Sequence, residues 1–286
     1  MAILVKNTDD RKKDAQNQDD IDAMFEKTMQ RKLNSLVRTI VDDFTILYST
    51  TGTIINTQQY KDELQAIITQ TYRRVNNEFS QTYLDDLEEA RSKAKTEQTK
   101  TKYNDLITVR EATAAAIATS LLQWSLATAP VQSQFVVDTW DKIIRKNVNN
   151  SLAENILAEL STDDKTIANK TKKPLTDDLI THNEVVSMQE VQTATENAKF
   201  TEVDELNNNL QVEEAIVAIG VLNIEKVWIT QGDSRVRNAH MIANGQRRLL
   251  KDPFLVGGEL LQYPKDTSLG ASMGNVINCR CKSIYQ

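Results

Sequence analysis

From Val227 to Gly245 the chain reads VWITQGDSRVRNAHMIANG, and within this stretch the local pattern changes over. Glu225 to Thr230 alternates and carries β-branched and aromatic side chains, which predicts a strand. Asp233 stands where an N-cap stands, Ser234 to Ala243 fits one short helix, and Gly245 lies just past its end. A strand, a turn and a short helix packed so closely belong to a small α+β unit. The glycines mark its extent: seven of the eight fall in the last 67 residues, and only Gly52 interrupts everything before. Helices tolerate glycine poorly, so the chain divides into a helical body and a turn-rich end.

Upstream, Ile21, Met24, Phe25, Met29, Leu33, Leu36, Val37, Ile40, Val41, Phe44, Leu47 and Tyr48 recur at three- and four-residue steps, the spacing of an amphipathic helix. The pattern turns around Gly52. A second stripe follows from Tyr60 to Leu87, and the pair predicts an antiparallel helical hairpin. A third helix is expected from about Tyr103 to Thr128, stopped or kinked at Ala129-Pro130, with a fourth segment from Phe135 to Leu160. Ser161 to Lys173, ending at Pro174, reads as a linker, and helical spacing resumes at Thr176 as N-cap. The expected architecture is α+β: residues 1–18 a flexible N-terminus, 19–215 a helical body with polar linkers near 91–102 and 161–174, and 216–286 a small glycine-rich α+β domain.

The net charge is −6 over 286 residues, which argues against a nucleic-acid coat. The charge is unevenly distributed. Residues 224–286 hold nine Lys/Arg against five Asp/Glu, and the rest holds 25 against 35. Arg247, Arg248, Arg280 and Lys282, with Arg235 and Arg237, are therefore the candidate phosphate contacts, and one of the last two is expected to bury a pair with a carboxylate. No aromatic interleaving accompanies them, so any binding to double-stranded DNA would be non-specific. The longest apolar run, Ala215 to Leu222, is far short of the roughly 20 residues of a membrane span, and Met1 to Val5 is too short for a signal core.

Val276 to Tyr285 also alternates, placing Ile277, Cys279, Cys281, Ser283 and Tyr285 on one face of an expected strand. Both thiols then point the same way. His240 could add a third ligand and Asp233 or water a fourth, which makes one zinc ion the candidate cofactor. Alternatively, the thiols are small buried hydrophobes and His240 hydrogen-bonds within a polar core.

Together, VWITQGDSRVRNAHMIANG and NVINCRC (275–281), with Asp252-Pro253-Phe254 and Tyr263-Pro264 between them, resemble the C-terminal domain of the phage Mu F-like head-morphogenesis family. In that pattern a tryptophan-bearing strand precedes D-x-R-x-R-x-x-H, a glycine follows, and N-C-R-C closes the domain. Trp228, Asp233, Arg235, Arg237, His240, Gly245, Asn278, Cys279, Arg280 and Cys281 occupy those places. Many relatives carry a second histidine just before N-C-R-C, where this chain has Val276 and Ile277, and the family's upstream T-E reads His182-Asn183-Glu184. The resemblance covers about the last 60 residues. It implies a minor head protein of the virion, assembled in the host cytoplasm and placed at the portal vertex or head interior. It further implies a role in head morphogenesis and DNA packaging or delivery, with portal, major capsid or scaffold protein as partners and no membrane.

No phosphate-binding loop, nucleophile elbow or H-E-x-x-H occurs in the sequence, so no enzyme is expected. Asp163-Asp164-Lys165 only superficially resembles a nuclease step. The alternatives are a DNA-escort protein ejected with the genome, or an enzyme of nucleotidyl or ADP-ribosyl transfer built on Asp233, Arg235, Arg237 and His240.

Overall fold

The computed structural model describes residues 8–92, 95–212 and 224–285. Four long helices come first: α1 (Thr8–Thr51), α2 (Lys61–Ser92), α3 (Glu97–Leu157) and α4 (Asp164–Val212). They are followed by β1 (Glu225–Ile229), α5 (Asn238–Ala243), β2 (Arg247–Leu249), β3 (Phe254–Val256), β4 (Glu259–Leu261), α6 (Met273–Val276) and β5 (Lys282–Tyr285). The protein is α+β, a long helical body followed by a small α+β end. Its contacts define two compact units, one of Met24–Thr71 and Ser125–Met188, the other of Met1–Ala23, Tyr72–Trp124 and Gln189–Gln286.

The first of these units is a four-helix bundle. The α1 stripe is buried as its spacing predicts, from Phe25 through Tyr48, although Met24 is half exposed. Rungs at both ends fix the antiparallel course of α1 and α2: the Tyr60 hydroxyl donates to Asp43 at 2.6 Å, and Lys32 donates to Gln70. Between α3 and α4, Thr171 donates to Ser151 at 2.9 Å and Asn147 to Asp178 at 3.0 Å, again antiparallel.

The expected breaks in the helices are shorter than the polarity of the sequence suggested. Of residues 1–18, expected as a flexible N-terminus, 8–18 form the first turns of α1. Of the linker at 91–102, residues 97–102 already belong to α3. The third and fourth expected helices are a single helix running through Pro130, and Pro174 lies inside α4. A proline costs a helix one hydrogen bond and some strain. Burial of Ala129, Val136 and Val137 around the first, and of Leu175 and Leu179 beside the second, offsets that loss. The cap of α4 is Asp163, not Thr176: its carboxylate accepts from the Thr166 N–H at 2.9 Å, while the Thr176 hydroxyl bonds back to the Lys172 carbonyl.

Membrane spans were expected to be absent because no long apolar run exists. Averaged over a window, however, Ile107–Leu157 of α3 is long and apolar enough to cross a membrane by length and composition, the one such helix among the described residues. Within it Ile117, Leu121, Trp140 and Ile144 are buried, whereas Leu122, Leu126, Val131 and Phe135 are exposed.

In the second unit, Tyr72, Val75, Ile107, Ile117 and Leu121 are buried where the ends of α2 and α4 meet the start of α3. Arg110 joins Glu202 at 3.0 Å and donates to the Ser80 carbonyl. The C-terminal strands form an antiparallel sheet of order β2-β1-β5 and a separate β3-β4 hairpin. β1 is central and buried along its middle: on one face Ile224, just before the strand, joins Val203, Leu250 and Tyr285, and further along Trp228 enters a cluster with Phe254 and Val256. The side chains of α4 cap β5: Glu196 accepts from the Ser283 N–H at 2.9 Å, and Lys199 donates to the Ser283 carbonyl at 2.8 Å. The domain start expected at 216, with Gly220, lies outside the described residues. The side chains of Tyr83 and Leu87 do as well.

Candidate metal centre

The strand β1 delivers Trp228 to the core, and the chain then reverses through residues 230–237. Asp233 makes that turn by accepting from the Arg235 N–H at 3.0 Å, so it shapes the approach to α5 rather than capping the helix, whose N-cap is Arg237. After α5, Gly245 sits at φ 78° and donates to the Trp228 carbonyl at 2.8 Å, which returns the chain to the sheet. α5 thereby lies over Trp228 and turns His240 inward, where it is 1% exposed.

The closing segment differs from the expected strand. Regular pairing begins only at Lys282; α6 ends at Val276, and Asn278 adopts a left-handed φ of 54° with its N–H on Gln189 Oε1 at 3.1 Å. Asparagine accepts that conformation readily. The cysteines converge through this turn and not through strand alternation, and the Cys281 N–H donates to Cys279 Sγ at 3.4 Å.

His240 Nδ1 lies 3.4 Å from Cys281 Sγ and 3.5 Å from Cys279 Sγ. The three ligand atoms are within 4.8 Å of one another, and the group can hold a metal ion. Its tautomer follows from its neighbours. Asn275 Nδ2 donates to the Val256 carbonyl at 2.9 Å and to Glu259 at 3.0 Å, which aims Asn275 Oδ1 at His240 Nε2, 2.8 Å away. The Nε2 atom therefore carries a proton, and Nδ1 faces both sulfurs. Gly257, at φ 61°, packs closely on α5: a Cβ there would come within 3.2 Å of Ala239 Cβ. Trp228 sits edge-on to His240 at 5.7 Å. Its buried indole N–H has no hydrogen-bond partner among the described residues.

The electrostatics favour one thiolate. The Cys279 thiol is held well below its ordinary range by a hydrogen bond from Cys281, with His240 adding to the effect against burial. The Cys281 thiol is pushed up by its bond to Cys279 and by burial. Burial lowers the His240 pKa, but hydrogen bonds to Cys279 and Asn275 outweigh it and the net shift is upward.

Asp233, expected as a fourth ligand, is not part of the group, because its two oxygens take the Arg280 guanidinium at 2.6 and 2.8 Å. The buried carboxylate pair expected of Arg235 or Arg237 is not formed, because Arg280 takes Asp233 instead. Arg235 is largely exposed and reaches Asp233 only at 3.4 Å, and Arg237 donates to the Ile277 carbonyl. Other candidate phosphate contacts are similarly engaged: Arg247 pairs with Glu225 at 2.8 Å, Lys282 with Asp19, and Arg248 donates to the Arg247 carbonyl at 3.4 Å. The Asp163-Asp164-Lys165 step begins a helix.

A crevice of about 10 Å³ reaches the three ligand residues, walled also by Arg235, Val236, Arg237, Asn278 and Arg280. A larger cleft of about 580 Å³ between α2 and α3 involves none of these residues. The role of Asn275 was missed in the sequence, where it was only a letter in NVINCRC. Comparison with protein-family models, curated proteins and solved structures gives no match.

Proposed function

We propose that this chain is a bacteriophage minor head protein, held at the portal vertex or in the head interior, acting in head morphogenesis and DNA packaging or delivery rather than as an enzyme. Its partners are portal protein and the major capsid or scaffold protein. One observation carries the reading: the two stretches that bear the family resemblance fold onto each other residue by residue. His240 meets Cys279 and Cys281, Asp233 meets Arg280, and Arg237 meets the Ile277 carbonyl. Positions that answer one another in this way form a single structural unit, which supports reading the motif as a whole.

We assign zinc as the metal of that unit. Two thiolates and an imidazole suit zinc, and tetrahedral bonds of roughly 2.0 Å to nitrogen and 2.3 Å to sulfur place N and S about 3.5 Å apart. The N···S separations of 3.4 and 3.5 Å match that spacing. The ion would staple α5 to the segment before β5 and contribute directly to the stability of a domain with short strands. The committed Arg247, Arg280 and Lys282 weigh against a dedicated DNA-escort surface. Quantitative mass spectrometry of purified procapsids and virions tests the assignment: the chain is expected as a minor species in at least one of them, and absence from both would overturn it.

A further inference from the structure

We infer that the metal held by His240, Cys279 and Cys281 keeps its fourth position open and takes there one oxygen of an external oxyanion, a carboxylate or a phosphate. The inference rests on the metal assignment above and extends it. Among the described residues, three ligands come together, and Asp233, which shares their motif, is occupied by Arg280. A three-ligand site leaves a coordination position for something the chain does not supply. The crevice that reaches the ligands holds about 10 Å³, close to the space of a single water-sized atom. One donor oxygen fits, whereas a bulky ligand does not.

The charge around the crevice selects the sign of that donor. A divalent ion with two thiolates and a neutral imidazole is balanced in itself. Three guanidiniums, of Arg235, Arg237 and Arg280, wall the crevice itself, with Asp233 held on Arg280 and Glu259 set behind Asn275. The walls therefore carry a positive excess that an incoming anion neutralises. Arg235 is the one best placed to receive it. Its side chain is 76% exposed and its contact with Asp233 is long, so it can turn to a ligand without breaking the Asp233–Arg280 fork.

Cobalt(II) replaced into the full-length protein reports both levels of the argument separately. Thiolate-to-cobalt charge transfer in the near ultraviolet shows that the ion sits on the cysteines; the visible d–d bands report its fourth ligand. Sodium acetate and inorganic phosphate are titrated in separate arms against perchlorate of equal ionic strength. A saturable shift of the d–d bands is expected in at least one arm, and the responding arm identifies the anion. The R235E variant should weaken that saturation on the order of tenfold through charge reversal. Unmoved d–d bands in both arms, with charge transfer intact, would overturn the open position. Missing charge transfer would instead overturn the metal assignment beneath it.

Discussion

His240 is oriented by a neighbour that carries no charge. Asn275 accepts from Nε2 while its own amide is tied to the Val256 carbonyl and to Glu259, so removing it orphans a buried ring N–H and a buried carbonyl at once. Asn275→Ala should therefore lower stability by about 2 kcal/mol or more, read as a shift of the urea midpoint at constant slope. A loss within error would show that the ring is oriented by other contacts. A second residue gives a pH signature. Glu190 is fully buried, accepts from the Tyr72 hydroxyl, and is pushed up by burial to about 7 from an ordinary 4.5. Because the folded pKa is raised, its contribution is complete below about pH 4.5 and is lost as pH rises through 7. Glu190→Gln keeps an acceptor without the charge. Relative to the parent, it should gain on the order of 3 kcal/mol between pH 5 and 8, measured by denaturant unfolding across that range. A constant offset would remove Glu190 as the titrating group. At this scale the sequence disclosed His240, Cys279 and Cys281 through residue type and order. It could not disclose Asn275 or Glu190, because a hydrogen-bond partner across tens of residues leaves no local pattern.

At the scale of elements, periodicity was informative and punctuation was not. The α1 stripe is buried along nearly its whole predicted length, since a three- and four-residue spacing has one physical solution. Pro130 and Pro174 suggested helix ends, yet both lie within helices where flanking apolar side chains are buried. Propensity ranks local choices, and packing decides among them. The true start of α4 is set by Asp163, whose carboxylate is drawn down to about 2 by the Ser161 and Thr166 hydroxyls and the Thr166 N–H. Asp163→Ala should lower the midpoint of thermal or chemical unfolding, and Thr176→Ala should lower it less. The reverse order would restore the later helix start. The last strand taught the opposite lesson: alternation from Val276 to Tyr285 predicted one strand, but Asn278 bends the chain and pairing occupies only its second half. The thiols meet all the same, because the turn and the Cys281 N–H bond to Cys279 Sγ bring them together.

For the whole molecule, counting charges by segment pointed to a basic end, and the geometry pairs much of that charge internally. Arg247, Arg280 and Lys282 each face a carboxylate, so they do not form an open phosphate track, while Arg235 and Arg237 remain beside the crevice at the candidate metal centre. We propose that His240, Cys279 and Cys281 build a metal centre. Native mass spectrometry of the full chain, purified without chelator, tests it most directly. One zinc per chain is predicted, lost from the C279S/C281S variant, with a lower unfolding temperature for the parent after a strong chelator. A metal-free chain whose melting curve ignores the chelator would contradict the claim and leave His240 and the cysteines as a hydrogen-bonded cluster.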